Sequence, residues 1–168
     1  MADGQSQARL IRRATETDGD PIWAILEPVI RAGETLALPR DLSRAAVLSL
    51  WLSEERETYL LEDDGKAAGV FYIRANQLGG GAHVANAGYA TAADATGRGV
   101  ARTMCAASFD IARERGFSAM QFNFVIASNA AAVHLWQKMG FAIVGRLPGA
   151  FAHPALGFVD ALVMHRAL

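Results

Sequence analysis

The run ATGRGVARTM, residues 95–104, holds the residues of this chain whose types and spacing are best suited to chemistry. Gly97 and Gly99 flank Arg98 directly ahead of Val100, Ala101 and Met104, where a helical apolar pattern starts. Glycine inside a helix is less stable than alanine, so glycines this close to a helical pattern ask for an offsetting gain. A glycine-rich turn between a strand and a helix leaves backbone N–H groups free at the positive end of the helix dipole, which suits a phosphate. A tight turn that needs only positive φ would leave the same trace. A dinucleotide fingerprint is excluded, because its last glycine or alanine would fall on Arg102, and no Gly-Lys-Ser/Thr is present for a P-loop.

The remaining reactive side chains read as packing or turn residues. His83, His134, His153 and His165 show no metal-ligand spacing, so no metal is expected. Cys105 falls in the apolar part of the helix after the glycines and reads as packing, not as a nucleophile. Asp94 belongs to the turn before the glycines and Asp160 to the last hairpin, so no carboxylate stands out as a general base.

Composition bounds the class. A chain of 168 residues with 52 % apolar content has the material for one core, since domains typically run ~100–200 residues. Residues 1–7 read as a polar tail and 8–168 as a single domain. A net charge of −1 and a pI near 6.4 supply no basic field for nucleic acid. No apolar run reaches the ~18 residues of a membrane span, and the N-terminus lacks the apolar core of a secretory signal. A cytoplasmic protein with neither membrane nor nucleic-acid partner is the expectation.

The elements that must position the glycine turn follow from periodicity. Residues 8–15 predict a strand, and Asp18 or Asp20 can cap a helix from about Pro21 that carries Ile22, Ile25, Leu26, Val29 and Ile30. A second helix is predicted near Leu42–Leu52. Asp64-Gly65 predicts a hairpin between two strands, and 83–91 a further strand. Val100, Met104, Ala107 and Ile111 form one helical stripe, which Gly116 ends. Residues 118–126 alternate as a strand with Met120, Phe122, Phe124 and Ile126 on one side. Ser128 or Asn129 caps a helix carrying Ala132, Leu135, Trp136 and Met139, which Gly140 stops. Two strands close the chain, separated by a loop holding Pro148, His153 and Pro154. The predicted class is α/β (α+β).

Two stretches taken together resemble the GNAT superfamily of acyl-CoA-dependent N-acetyltransferases. One is Thr96-Gly97-Arg98-Gly99-Val100-Ala101, similar to that family's Arg/Gln-x-x-Gly-x-Gly/Ala loop. The other is Asn129, Ala132, Leu135, Trp136, Gly140 and Phe141, similar to its Asn-x-x-Ala-x-x-Leu-Tyr-x-x-x-Gly-Phe. The resemblance covers nearly the whole chain and implies a mixed, mostly antiparallel sheet of about seven strands flanked by four helices. It implies acetyl-CoA as cosubstrate, a small amine as acceptor and direct transfer without an acyl-enzyme. It also implies that Thr96, Gly97, Arg98, Gly99, Val100, Ala101 and Arg102 meet the pyrophosphate of CoA. Two departures stand out. Thr96 replaces a longer Arg or Gln, and Trp136 replaces the tyrosine that protonates the departing thiolate in many members. An indole N–H is a donor but no acid for that role.

The same resemblance implies that the strand at Asn86–Thr91 bulges at Gly88 and splays from its partner, so that the backbone of Ala90 and Thr91 faces the cosubstrate. Asn86, Asn123 and Asn129 are similar in placement to the asparagines of fungal enzymes that acetylate azetidine-2-carboxylate, a proline analogue. On that likeness Asn86 and Asn123 hold the acceptor's carboxylate or orient its amine, and Asn129 contacts CoA. Satisfying backbone groups at a sheet irregularity is the competing role for the first two, and capping a helix for the third. Tyr89 is a further candidate, through its hydroxyl. Acceptors on proteins or aminoglycosides, or a CoA sensor without turnover, stay as alternatives. The apolar last hairpin is a candidate homodimer surface.

Overall fold

The computed structural model describes residues 9–168; the predicted tail and Ala8 lie outside them. The elements are β1 (Arg9–Arg13), α1 (Gly19–Ala32), α2 (Arg44–Trp51), β2 (Glu57–Asp63), β3 (Lys66–Ala75), β4 (Val84–Thr91), α3 (Val100–Glu114), β5 (Ala119–Ile126), α4 (Ala130–Lys138), β6 (Ala142–His153) and β7 (Gly157–Ala167). The strands form one 7-stranded sheet in the order β1-β2-β3-β4-β5-β7-β6. Every pairing is antiparallel except β4 with β5.

Local signals build much of this frame. Asp64 (φ 54°) and Gly65 (φ 75°) both take the left-handed conformation of a tight hairpin turn between β2 and β3. Gly116 (φ 83°) and Gly140 (φ 91°) end α3 and α4, and the N–H of Phe141 returns to the carbonyl of Trp136. α1 buries Ile22, Ile25, Leu26 and Ile30, the predicted apolar stripe apart from Val29.

Side chains alternate across the sheet, so each face of β3 meets a different layer. Gly69 packs against Val100 and Met104 of α3. On the other face the ring of Tyr72 meets the edge of Trp51 from α2 at 5.1 Å between centroids. Helices therefore cover both faces of the centre, which is why adjacent residues such as Leu60 and Leu61 are both fully buried.

Four expectations are corrected. α1 begins at Gly19, and Asp18, although at the N-cap position, makes no side-chain cap to it. Instead its carboxylate takes two bonds from Arg12, at 2.8 and 2.9 Å, and one from the Thr15 N–H at 2.7 Å. The buried face of α3 runs through Met104, Cys105, Ser108, Phe109 and Ala112, leaving Ala107 and Ile111 at its margin. In β5 the alternation fails, because the pairing with β7 shifts between Phe122 and Val125; Val125 is buried and Phe124 exposed. Finally, β6 continues through Pro148 to His153, with a register shift between Leu147 and Phe151. Proline has no N–H to give a ladder and is tolerated at a bulge on an edge strand. Gly149 beside it has φ 56° and donates its N–H to Asp160 at 2.9 Å.

Candidate active site

The site begins where a parallel pairing stops. β4 and β5 pair at Val84–Ala119 and Ala85–Met120, and beyond those positions the strands part. β4 itself does not bulge; it keeps unbroken register with β3 from Ala85 to Thr91. Gly88 has another reason. A Cβ there would lie 2.5 Å from Cε1 of Tyr72, so only glycine lets that ring lie across β4. The irregularity sits in β5, at the shift that spans Asn123 and Phe124.

The parting opens a cavity of about 660 Å³ bounded by β3, β4, β5, the end of α1 and the start of α4. Asn86, Tyr89, Ala90, Thr91, Thr96, Ala101, Asn123, Asn129 and Trp136 line it. Gly97, Arg98, Gly99, Val100 and Arg102 do not, although their neighbours Thr96 and Ala101 bring the turn to its rim. Hydrogen bonds from Asn76 N–H to Val84 and from Ala92 N–H to Ala68 fix which β4 amides serve β3. By that alternation Ala90 bonds β3, while the amides of Ala87, Tyr89 and Thr91 face the gap.

At the wide end, Gly97 (φ 77°) and Gly99 (φ 78°) are both left-handed, and the space a Cβ would enter at Gly97 is empty. Gly99 caps α3 without any side-chain bond, so the first-turn N–H groups of α3 have no partner from a capping side chain. A turn of this kind, open on the outside and rich in unpaired donors, fits an anionic phosphate group. The Arg98 guanidinium is held 2.8 Å from the buried carboxylate of Asp63, which Arg9 also approaches at 3.6 Å, so one carboxylate is shared by two arginines beside the turn. Arg102 is exposed, and Val100 is buried under β3.

At the narrow end the asparagines form a connected network. Asn86 Nδ2 donates to the Gln121 carbonyl across the start of the parting, at 3.0 Å. Gln121 Nε2 donates to Asn123 Oδ1 at 2.9 Å, and Asn123 Nδ2 donates to Asn76 Oδ1 at 2.6 Å. Tyr72 reaches Asn86 Oδ1 at 3.5 Å. Asn129 caps α4, accepting from Ala132 N–H at 3.3 Å. Asn76, Gln121, Tyr72 and Arg74 escaped the sequence reading; the period-2 pattern of β3 alone could have placed Tyr72 and Arg74 on one face.

The aromatic wall is apolar. Trp136 is buried with its ring 5.1 Å from both Tyr89 and Phe122. The Tyr89 hydroxyl is bound to Ser108 of α3 at 2.7 Å, and burial pushes its proton loss well above the ordinary phenol range. Burial likewise pushes the Cys105 thiol up to about 12, which keeps it an inert thiol. His153 Nδ1 accepts from the N–H groups of Ala155 and Leu156 and so holds the last turn.

Residues 24–141 match the family model of the acetyltransferase (GNAT) family. A GCN5-related N-acetyltransferase from Kribbella flavida superposes with a TM-score of 0.91 at 39 % identity, over 96 % of this chain and 98 % of that one. YncA from Salmonella typhimurium, solved with its cofactor acetyl-CoA, shares the fold with a TM-score of 0.83 at 19 % identity, over 96 % of this chain and 94 % of that one. N-acetyltransferase aca1 of Schizosaccharomyces pombe is 32 % identical over 101 residues, 56 % of this chain and 46 % of that protein. The chain thus spans about half the length of that curated relative. It belongs to the acetyltransferase (GNAT) family.

Proposed function

We propose that this member of the acetyltransferase (GNAT) family transfers an acetyl group from acetyl-CoA to the amine of a small acceptor, an amino acid or proline analogue. The observation that carries the reading is the parting of β4 from β5, which joins an unpartnered helix start to an asparagine network through one cavity. When bound, acetyl-CoA supplies a thioester carbonyl open to attack and a thiol leaving group. The turn at Gly97 and Gly99 and the first amides of α3, with Thr96 and Ala101 at the rim, receive the pyrophosphate. Gap-facing amides of β4 bind the arm and polarise the carbonyl. Arg98 and Val100 hold the turn in place, Arg102 meets the anion from outside, and Asn129 borders the arm while capping α4.

The acceptor amine attacks in its neutral form, forming the new C–N bond as the C–S bond breaks. Asn86 and Asn123 each retain one amide N–H beyond the bonds described, and these orient the amine. With no carboxylate among the residues lining the cavity, water removes the amine proton. Water also returns a proton to the thiolate, because Trp136 is no acid and the Tyr89 hydroxyl is committed to Ser108. The absence of lining carboxylates disfavours a polycationic aminoglycoside. Trp136 in place of a tyrosine is the one feature that favours the second reading, a CoA sensor without turnover.

Free-thiol release from acetyl-CoA, measured against a panel of L-amino acids, azetidine-2-carboxylate and simple amines, tests the proposal. Turnover with an amino acid, lost in Asn123→Ala with CoA affinity kept, is expected. CoA binding without turnover of any amine would shift the assignment to the sensor. We also propose a homodimer through β6 and β7, where Val144 is 60 % and Phe158 81 % exposed; sizing by light scattering, with Phe158→Glu giving monomers, would check it.

A further inference from the structure

We infer that Arg74 anchors an anionic group on the acceptor, a carboxylate placed a short distance from the reacting amine. The inference rests on the acetyl-transfer reading and names the substrate class for the same cavity. Arg74 is the only charged residue among those lining the cavity in the described part of the chain. Its side chain takes part in no ion pair or hydrogen bond among the described residues, and its Nε is buried without a partner. A buried guanidinium nitrogen left unpaired calls for an acceptor, and a cation beside a partly apolar cavity attracts an anion more strongly than it would in water.

Its neighbours exclude the simpler explanations. Arg56, over the Tyr72 ring at 4.8 Å, also has a buried Nε without a partner, but another of its guanidinium nitrogens donates to the Leu50 carbonyl and the Ser53 hydroxyl, whereas Arg74 has no such tether. Asn86 stands directly opposite Arg74 in the ladder, so the charge and the amides that orient the amine share one end of the cavity. The pyrophosphate turn lies at the other end. Arg74 pairs with Asn86 and Gly69 with Thr91, a separation of five strand residues or about 17 Å. The anion that Arg74 holds is therefore carried by the acceptor. Asn86 and Asn123 are neutral and already bonded, so they set direction while Arg74 supplies the attraction, in a planar fork that matches a carboxylate.

The test pairs each L-amino acid, and azetidine-2-carboxylate, with its own carboxamide as acceptors in the thiol-release assay, for wild type, Arg74→Gln and Arg74→Lys. Calorimetric titration of acetyl-CoA runs alongside. Wild type is expected to prefer the acids, and Arg74→Gln to raise their KM about 10- to 100-fold, the weight of a hydrogen-bonded charge pair. Acetyl-CoA affinity should stay put, and Arg74→Lys should recover part of the loss. Equal turnover of acids and carboxamides by wild type, or an equal effect of Arg74→Gln on both, overturns the anchor and leaves acetyl transfer standing. Turnover of neutral amines alone does the same. Failure to bind acetyl-CoA removes the underlying reading itself.

Discussion

The two ends of the cavity are built from opposite materials. At the glycine turn the protein offers backbone: two left-handed glycines, an uncapped helix start, and an arginine tied back to Asp63. At the asparagine end it offers side chains: those of Gln121, Asn123 and Asn76 are linked in a chain, Asn86 joins it through the Gln121 carbonyl, and Arg74 is left unpaired beside them. Backbone donors recognise any phosphate of the right shape, whatever side chains surround them. Side-chain donors depend on each partner holding its neighbour, so that end carries the choice of acceptor. The contrast explains how Thr96 can stand where a longer residue is usual without dismantling the turn, whereas a single change among the asparagines should not be tolerated.

The strongest way to break this contrast is Asn123→Ala. It removes the link between Gln121 and Asn76, and loss of two side-chain bonds in the network should lower kcat/KM about 100-fold. Steady-state kinetics would show that loss with acetyl-CoA affinity unchanged; a fall in CoA affinity instead would mean the two ends are not separate. Gly88→Ala attacks the same end through packing. The new methyl would overlap the Tyr72 ring, and overpacking of this kind costs about 1–3 kcal/mol. Urea denaturation should register it, together with weakened acceptor binding.

A residue belonging to neither end serves as a control. Arg12 and the Thr15 N–H hold the Asp18 carboxyl down to about 2. A depressed carboxylate stabilises the fold above its unfolded value near 4, and that contribution is lost as pH falls from about 4 to 2. Asp18→Asn should cost about 1–2 kcal/mol at pH 7, allowing for the partial exposure of Arg12. The gap from wild type should close by pH 2, with CoA and acceptor binding unaffected at pH 7. Denaturation curves at the two pH values decide it. The smallest effect is expected at Gly97→Ala. Nothing obstructs the methyl, but φ of 77° disfavours it, by about 1 kcal/mol. Titration calorimetry should show roughly fivefold weaker acetyl-CoA binding, while acceptor KM holds.

What the sequence determined by itself was local. The Asp64-Gly65 turn, the glycine stops at Gly116 and Gly140, the stripe of α1 and the Gly97–Gly99 turn each depend on residues within about one turn or one hairpin of each other. Their conformational requirements are therefore written in adjacent letters. Where a tertiary constraint intervened, the same logic missed: the bulge in β5 exposed Phe124, and Arg12 drew Asp18 away from capping α1. The parting of β4 from β5, the fit of Gly88 under Tyr72, the bond between Asn123 and Asn76 and the isolation of Arg74 were decided only by the folded chain. Each joins, or leaves unjoined, groups from different strands. Such meetings depend on register and packing across the sheet, which no spacing along a single segment encodes.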